Sequence, residues 1–234
     1  MKGALLGPSY NQEEIENSLL KCGAKFEVLD DDSIIKTTAK ALVEGKAVGW
    51  FQGRMEFGPR ALGARSIIAD PRSKKMQKTL NLKVKYRESF RPFAPSVLIE
   101  DVSEWFKMNI ESPYMLLVAS INDQKKIKMT EEQKQLFGIE KLNVKRSDIP
   151  AVTHVDYSAR IQTVHKNTNL RYFKLLKQFK ENIEHLGTNE KLSVYTLRGE
   201  NPTKPKPNFS GCRPLSADEC SGITCSKQYQ EKEF

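Results

Sequence analysis

Residues 49–66 read GWFQGRMEFGPRALGARS, and the fold of the surrounding chain follows from how this stretch is understood. It sets Arg54, Arg60 and Arg65 among four glycines and Pro59, directly after the short apolar run 47–51. A strand giving way to a glycine-bearing loop is how a backbone comes close to an anion. Glycine permits turns closed to other residues, and the arginine fork matches phosphate or carboxylate oxygens. One arginine beside one glycine reads as an exposed basic turn. Three arginines within twelve positions, interleaved with Phe57 and Leu62, point instead to an anion site.

Working outward, residues 12–22 place Ile15, Leu19 and Leu20 on one helical face, with Glu13 and Glu14 in the first turn. The acidic run 30–33 provides capping residues for a second helix to Glu44, which Gly45 ends. Beyond the glycine–arginine loop, 73–82 reads as a helix with Met76 and Leu80 inward. Two prolines bar a helix from 91–95. A strand over 96–99, a short helix over 101–108 and an apolar strand over 114–119, central in its sheet, follow. The segment 121–150 turns polar and reads as an insertion with a helical piece at 131–137. A strand over 154–164 and an amphipathic helix over 170–184 using Tyr172, Phe173, Leu176 and Phe179 complete the pattern. Interleaved strands and helices predict an α/β domain with a mixed sheet. The domain is expected over 1–200, and the proline-rich, aperiodic 201–234 as a flexible tail.

A chain of 234 residues is long enough to bury one substantial core. No apolar run approaches the roughly 20 residues of a membrane span, and MKGALLGP at 1–8 is too soon interrupted for a secretory signal, so a cytoplasmic protein is expected. The net charge of +9 attracts polyanions, which makes RNA a rival to a nucleotide as partner. Against RNA, the arginines sit inside glycine, proline and aromatic motifs rather than along one exposed face. Cys212, Cys220 and Cys225 lack the tight CxxC pairing of zinc sites, and incidental thiols are the simpler reading. His154 and Asp156 fall on one face of the expected strand and could pair. Two residues do not make a ligand set, so no metal is expected, and His154 reads as a structural or pocket-lining residue.

Four collinear segments carry a resemblance: 49–66; KYRESFRPFAPSV at 85–97; SPYMLLV at 112–118; and AVTHVD at 151–156 with RIQTV at 160–164. Together they resemble the C-terminal, YrdC-like domain of the NodU/CmcH carbamoyltransferases, over about residues 6–179. The resemblance implies a YrdC-like twisted mixed β-sheet flanked by helices. It also implies an activity, the formation of carbamoyl-adenylate from carbamoyl phosphate and ATP, the latter with Mg2+, with loss of phosphate and pyrophosphate. Transfer to a hydroxyl acceptor then belongs to a separate N-terminal, actin-like domain that carries the metal and is missing here, so the chain is expected to be a fragment or a separately encoded half.

By motif, Arg60, Lys85 and Arg160 are the implied phosphate-binding residues. Arg54, Arg65, Ser66, Arg87 and Arg91 complete the implied pocket, with Met115 and His154 lining it. Arg198 survives from the family's RGEP run. The NTSFN run that precedes it in the family is replaced by residues 192–197, LSVYTL, which leaves Val194 at the position of a nucleotide-site serine. The alternatives are a basic RNA-binding module of the same fold without catalysis and an inactive homologue.

Overall fold

In the computed structural model, residues 3–185 are described; Arg198, Val194, Cys212, Cys220, Cys225 and the expected tail lie outside them. Helix α1 (Gln12–Lys21) begins at a reciprocal capping box: Asn11 accepts from the Glu14 N–H, and Glu14 accepts from the Asn11 N–H. It buries Ile15 and Leu19. Asp30 caps α2 (Asp31–Val43) by accepting from the N–H groups of Asp32 and Ser33. The buried face of α2, including Ile34, Ile35, Ala39 and Leu42, packs against α7 (Leu170–His185), which buries Tyr172, Leu175, Leu176, Phe179 and Ile183. Each of the isoleucine, leucine and phenylalanine side chains among them is worth about 1.5–3 kcal/mol when fully removed from water. Arg171 and Asp31, 2.6 Å apart, tie the outer ends of the two helices.

The class is mixed α/β, with the described strands in three two-stranded sheets. Strands β1 (Val48–Phe51) and β2 (Arg65–Ile68) are antiparallel and hold the glycine–arginine loop between them. Strand β3 (Ser96–Leu98) pairs in parallel with β6 (Gln162–Val164), and β4 (Val118–Ser120) pairs antiparallel with β5 (Ser158–Arg160). β5 and β6 are one extended segment that changes partners at Ile161, whose N–H donates to the Leu117 carbonyl at 3.0 Å. No helix among the described residues is long and apolar enough to cross a membrane.

Four local expectations are corrected. The run 73–82 is not one helix: α3 (Met76–Thr79) passes into a wider π turn, Leu80–Val84. That turn brings Asn81 wholly inside, where its amide donates to the carbonyls of Ser89 and Arg91. The helix expected over 101–108 shortens to α4 (Val102–Trp105), preceded by a 3-10 turn. Residues 114–119 do not form a central strand. Met115 adopts φ +56°, the Ser112 hydroxyl accepts from the Leu117 N–H, and Leu116, Leu117 and Val118 face outward. Finally, 154–157 is a turn rather than strand, closed by Asp156 accepting from both the N–H and hydroxyl of Ser158.

The polar segment 121–150 contains α5 (Glu131–Gln135) and α6 (Gly138–Leu142) and returns firmly to the core. Ile149 is fully buried, and so is the Arg146 side chain. The Arg146 guanidinium donates to the carbonyls of Lys141 and Leu142 on one side and of Thr153 and His154 on the other. Burial lowers its pKa, opposed by Tyr157 and Asp156. Lys125, within the same segment, lies 4.3 Å over the Trp105 ring rather than free in solvent.

Candidate functional site

A cleft of about 340 Å³ opens where the loop 58–63, the segment 87–94, Met115, Val118 and the turn leading into β5 meet. Its lining includes Arg60, Arg87, Arg91, Met115, His154 and Arg160, six of the sequence-predicted residues from four separate segments. Ser158, Phe93 and Pro92 lie among them, and among the described residues no carboxylate does. Its size falls within the usual range of small-molecule sites, about 300–1,000 Å³.

The cations differ in how they are held. Arg60 and Arg160 have no hydrogen-bond or ion-pair acceptor for their guanidinium groups among the described residues. Arg87 is fixed: its Nε donates to Asn81 Oδ1 at 2.6 Å, and its guanidinium lies 5.1 Å from the Phe93 ring centroid. Arg91 donates to Glu88 at 3.0 Å, and both are exposed. Beside His154, Asp156 has its pKa lowered, chiefly by the Ser158 hydroxyl and also by the nearby imidazole. Among the described residues no cluster of three or more His, Cys, Asp or Glu side chains is placed to hold a metal ion.

Four other expected residues stand apart from the cleft lining. Arg65 is buried and donates to the carbonyls of Gln52, Gly53 and Ala64, with its guanidinium 5.1 Å from the Phe51 ring centroid. Ser66 is buried beside it and accepts from the Gly63 N–H at 3.0 Å. Arg54 is exposed and reaches the Gly7 carbonyl at 3.3 Å. Lys85 ends the π turn, its N–H bonded to the Leu80 carbonyl.

Three residues that sequence reasoning passed over shape the site from behind. Asn81 positions Arg87 and the 89–91 backbone together. Gln162, buried on β6, accepts from the Ser96 hydroxyl and donates to the carbonyls of Leu62 and Pro113, joining two cleft-bearing loops. Glu56 is buried, and its Oε1 accepts from the N–H groups of Leu62, Ala64 and Arg65 at 2.7, 2.6 and 3.1 Å. The only signal of these in the sequence is a polar residue amid apolar neighbours.

The sequence model of the family described as the carbamoyltransferase C-terminus matches residues 39–187, more than half of the chain and all of the cleft. The chain belongs to the carbamoyltransferase C-terminal family. Similar proteins include an uncharacterized protein of Synechocystis sp., 54% identical over 86% of this chain and 32% of its own length. The nodulation protein NolNO of Sinorhizobium fredii is 37% identical over 75% of this chain and 23% of its own. The 3'-hydroxymethylcephem-O-carbamoyltransferase of Amycolatopsis lactamdurans is 37% identical over 59% of this chain and 22% of its own. The chain thus spans about a third or less of the length of these curated relatives. As a carbamoyltransferase C-terminal domain, it carries the arginine cleft within its matched region.

Proposed function

We propose that the cleft binds ATP, as its Mg2+ complex, together with carbamoyl phosphate, and forms carbamoyl-adenylate. The observation that carries this reading is the meeting of Arg60 and Arg160. They come from segments a hundred positions apart, and among the described residues each guanidinium is unpaired and the cleft they share is lined by no carboxylate. Held without partners among the described residues, such groups are ready donors to phosphate oxygens, and they stabilise charge that builds during nucleotidyl transfer. Water releases phosphate from carbamoyl phosphate. A carbamate oxygen then attacks the α-phosphate of ATP, and pyrophosphate leaves. Arg87, already oriented by Asn81, supplies a fixed charge to the same oxygens.

Transfer of the carbamoyl group to a hydroxyl acceptor belongs, on this reading, to an actin-like domain of the kind that the longer relatives have room for. The protein works in the cytoplasm, where ATP is abundant. Calorimetric titration with MgATP, with and without carbamoyl phosphate, tests the proposal, alongside exchange of labelled pyrophosphate into ATP. Saturable ATP binding and exchange that requires carbamoyl phosphate are expected. Absence of ATP binding, with steeply salt-dependent RNA binding instead, would replace this reading with the RNA one.

A further inference from the structure

The loop that carries Arg60 looks, by its glycines, like a backbone cradle for phosphate, yet the amides of its returning limb are already taken. Four consecutive N–H groups are occupied: those of Leu62, Ala64 and Arg65 by Glu56 Oε1, and that of Gly63 by Ser66 Oγ. A nest of successive amides is an anion-binding concavity. Here the anion is a side chain of the loop itself.

We propose that Glu56 is the positioning residue for Arg60: its carboxylate fills the amide nest, fixes the return of the 58–63 loop and so aims the Arg60 guanidinium into the cleft. Glu56 is well placed for this. Its own backbone is held by a bridge to Leu5, and the neighbouring Met55 N–H and C=O bond to Pro8 and Gly7. Gly58 and Gly63 bound the loop with φ of +118° and +99°, values that L-residues avoid, so the turn depends on being gathered at its far end. One carboxylate oxygen does the gathering; Oε2 is buried with no donor among the described residues. Reach matters more than charge: a neutral amide oxygen at the same place accepts the same three N–H groups.

The inference rests on the proposed role of Arg60 in phosphate binding, and the test separates the two. MgATP affinity is measured by calorimetry, and folding by urea melting, for Glu56→Ala, Glu56→Gln, Glu56→Asp, Arg60→Ala, and the pairs Glu56→Ala/Arg60→Ala and Glu56→Ala/Arg160→Ala. Glu56→Ala is expected to weaken binding about tenfold or more, the size of a lost charge-assisted contact. Glu56→Gln is expected to stay within about threefold of the parent, and Glu56→Asp, one methylene short, to fall with Ala. The Glu56/Arg60 pair is expected to be no weaker than Arg60→Ala alone, because the two act as one unit, whereas losses at Glu56 and Arg160 multiply.

Parent-like binding by Glu56→Asp with loss in Glu56→Gln overturns the inference, as does a multiplicative Glu56/Arg60 pair. If Glu56→Ala does not fold, the Asp and Gln variants decide by the same order. Should Arg60→Ala bind like the parent, both readings fall. If it is weak while every Glu56 variant binds normally, only this one does.

Discussion

The ring of Tyr172 occupies the space that a side chain on Gly63 would need: an ideal Cβ there lies 2.5 Å from Cδ1 and 2.7 Å from Cε1 of that ring. Tyr172 is fully buried on α7, so the ring has nowhere to retreat, and Gly63 also holds φ +99°. Gly63→Ala therefore meets a clash and an unfavourable backbone together. The expected cost is on the order of 1–3 kcal/mol. At roughly 2–4 °C per kcal/mol, that is a clear fall in Tm. A Gly63→Ala protein that melts with the parent would show that helix and loop are not locked together.

The two kinds of arginine should separate in experiment. Arg60→Ala and Arg160→Ala remove guanidiniums with no acceptor among the described residues, so stability should change by no more than about 0.5 kcal/mol. MgATP or carbamoyl phosphate binding should weaken roughly ten- to hundredfold. Arg65→Ala should do the reverse in order of cause, since it removes the buried guanidinium that donates to the Gln52, Gly53 and Ala64 carbonyls of the loop. A loss of about 2 kcal/mol or more should appear in urea melting before any ligand is added.

Gln162 offers a test of the wall behind the cleft. Gln162→Leu leaves the Leu62 carbonyl and the Ser96 hydroxyl without their buried partner. A stability loss of about 1–3 kcal/mol is expected, accompanied by weaker ATP binding, because the loops of Arg60 and Met115 both lean on this amide. Unchanged affinity in a destabilised Gln162→Leu protein would confine the residue to the core.

Acid sensitivity has a local component at Asp123. Lys107 and Lys126 hydrogen-bond its carboxylate and lower its pKa from 3.8 to about 2. The folded value lies below the unfolded one, so this group stabilises the fold above pH 3.8 and loses that contribution as pH falls toward about 2. Asp123→Asn should flatten that part of the stability–pH curve and leave ATP binding at pH 7 unchanged. The group is fully exposed, so the effect should shrink with added salt.

What the sequence revealed and what it hid divide along physical lines. Helices with caps and a clear apolar face, such as α2 and α7, were readable because local chemistry and tertiary burial agree there. The arginines of the cleft were readable because glycine and proline mark where a backbone must turn. Arg65 and Ser66 carry the same signal, yet they stand apart from the cleft lining. Their spacing equals that of ligand-binding residues, and only three-dimensional placement shows that the loop uses them internally. The run 114–119 was misread because six apolar residues look the same whether they fill a core or face outward. There, Ser112 captures an amide that a strand would have offered to its neighbour. Glu56, Asn81 and Gln162 were invisible because most of their partners are backbone atoms, which every residue possesses.

The change of partners at Ile161 makes the wall of the cleft and the centre of the fold a single beam. Arg160 stands at one end of the junction, and Gln162, anchored to Ser96, begins the other. A ligand that pulls on Arg160 loads the same short rod that clamps β3. Occupancy of the cleft should therefore be felt as stiffness in the interior, most directly as slower exchange of the Ile161 and Gln162 amide hydrogens, at positions no ligand touches.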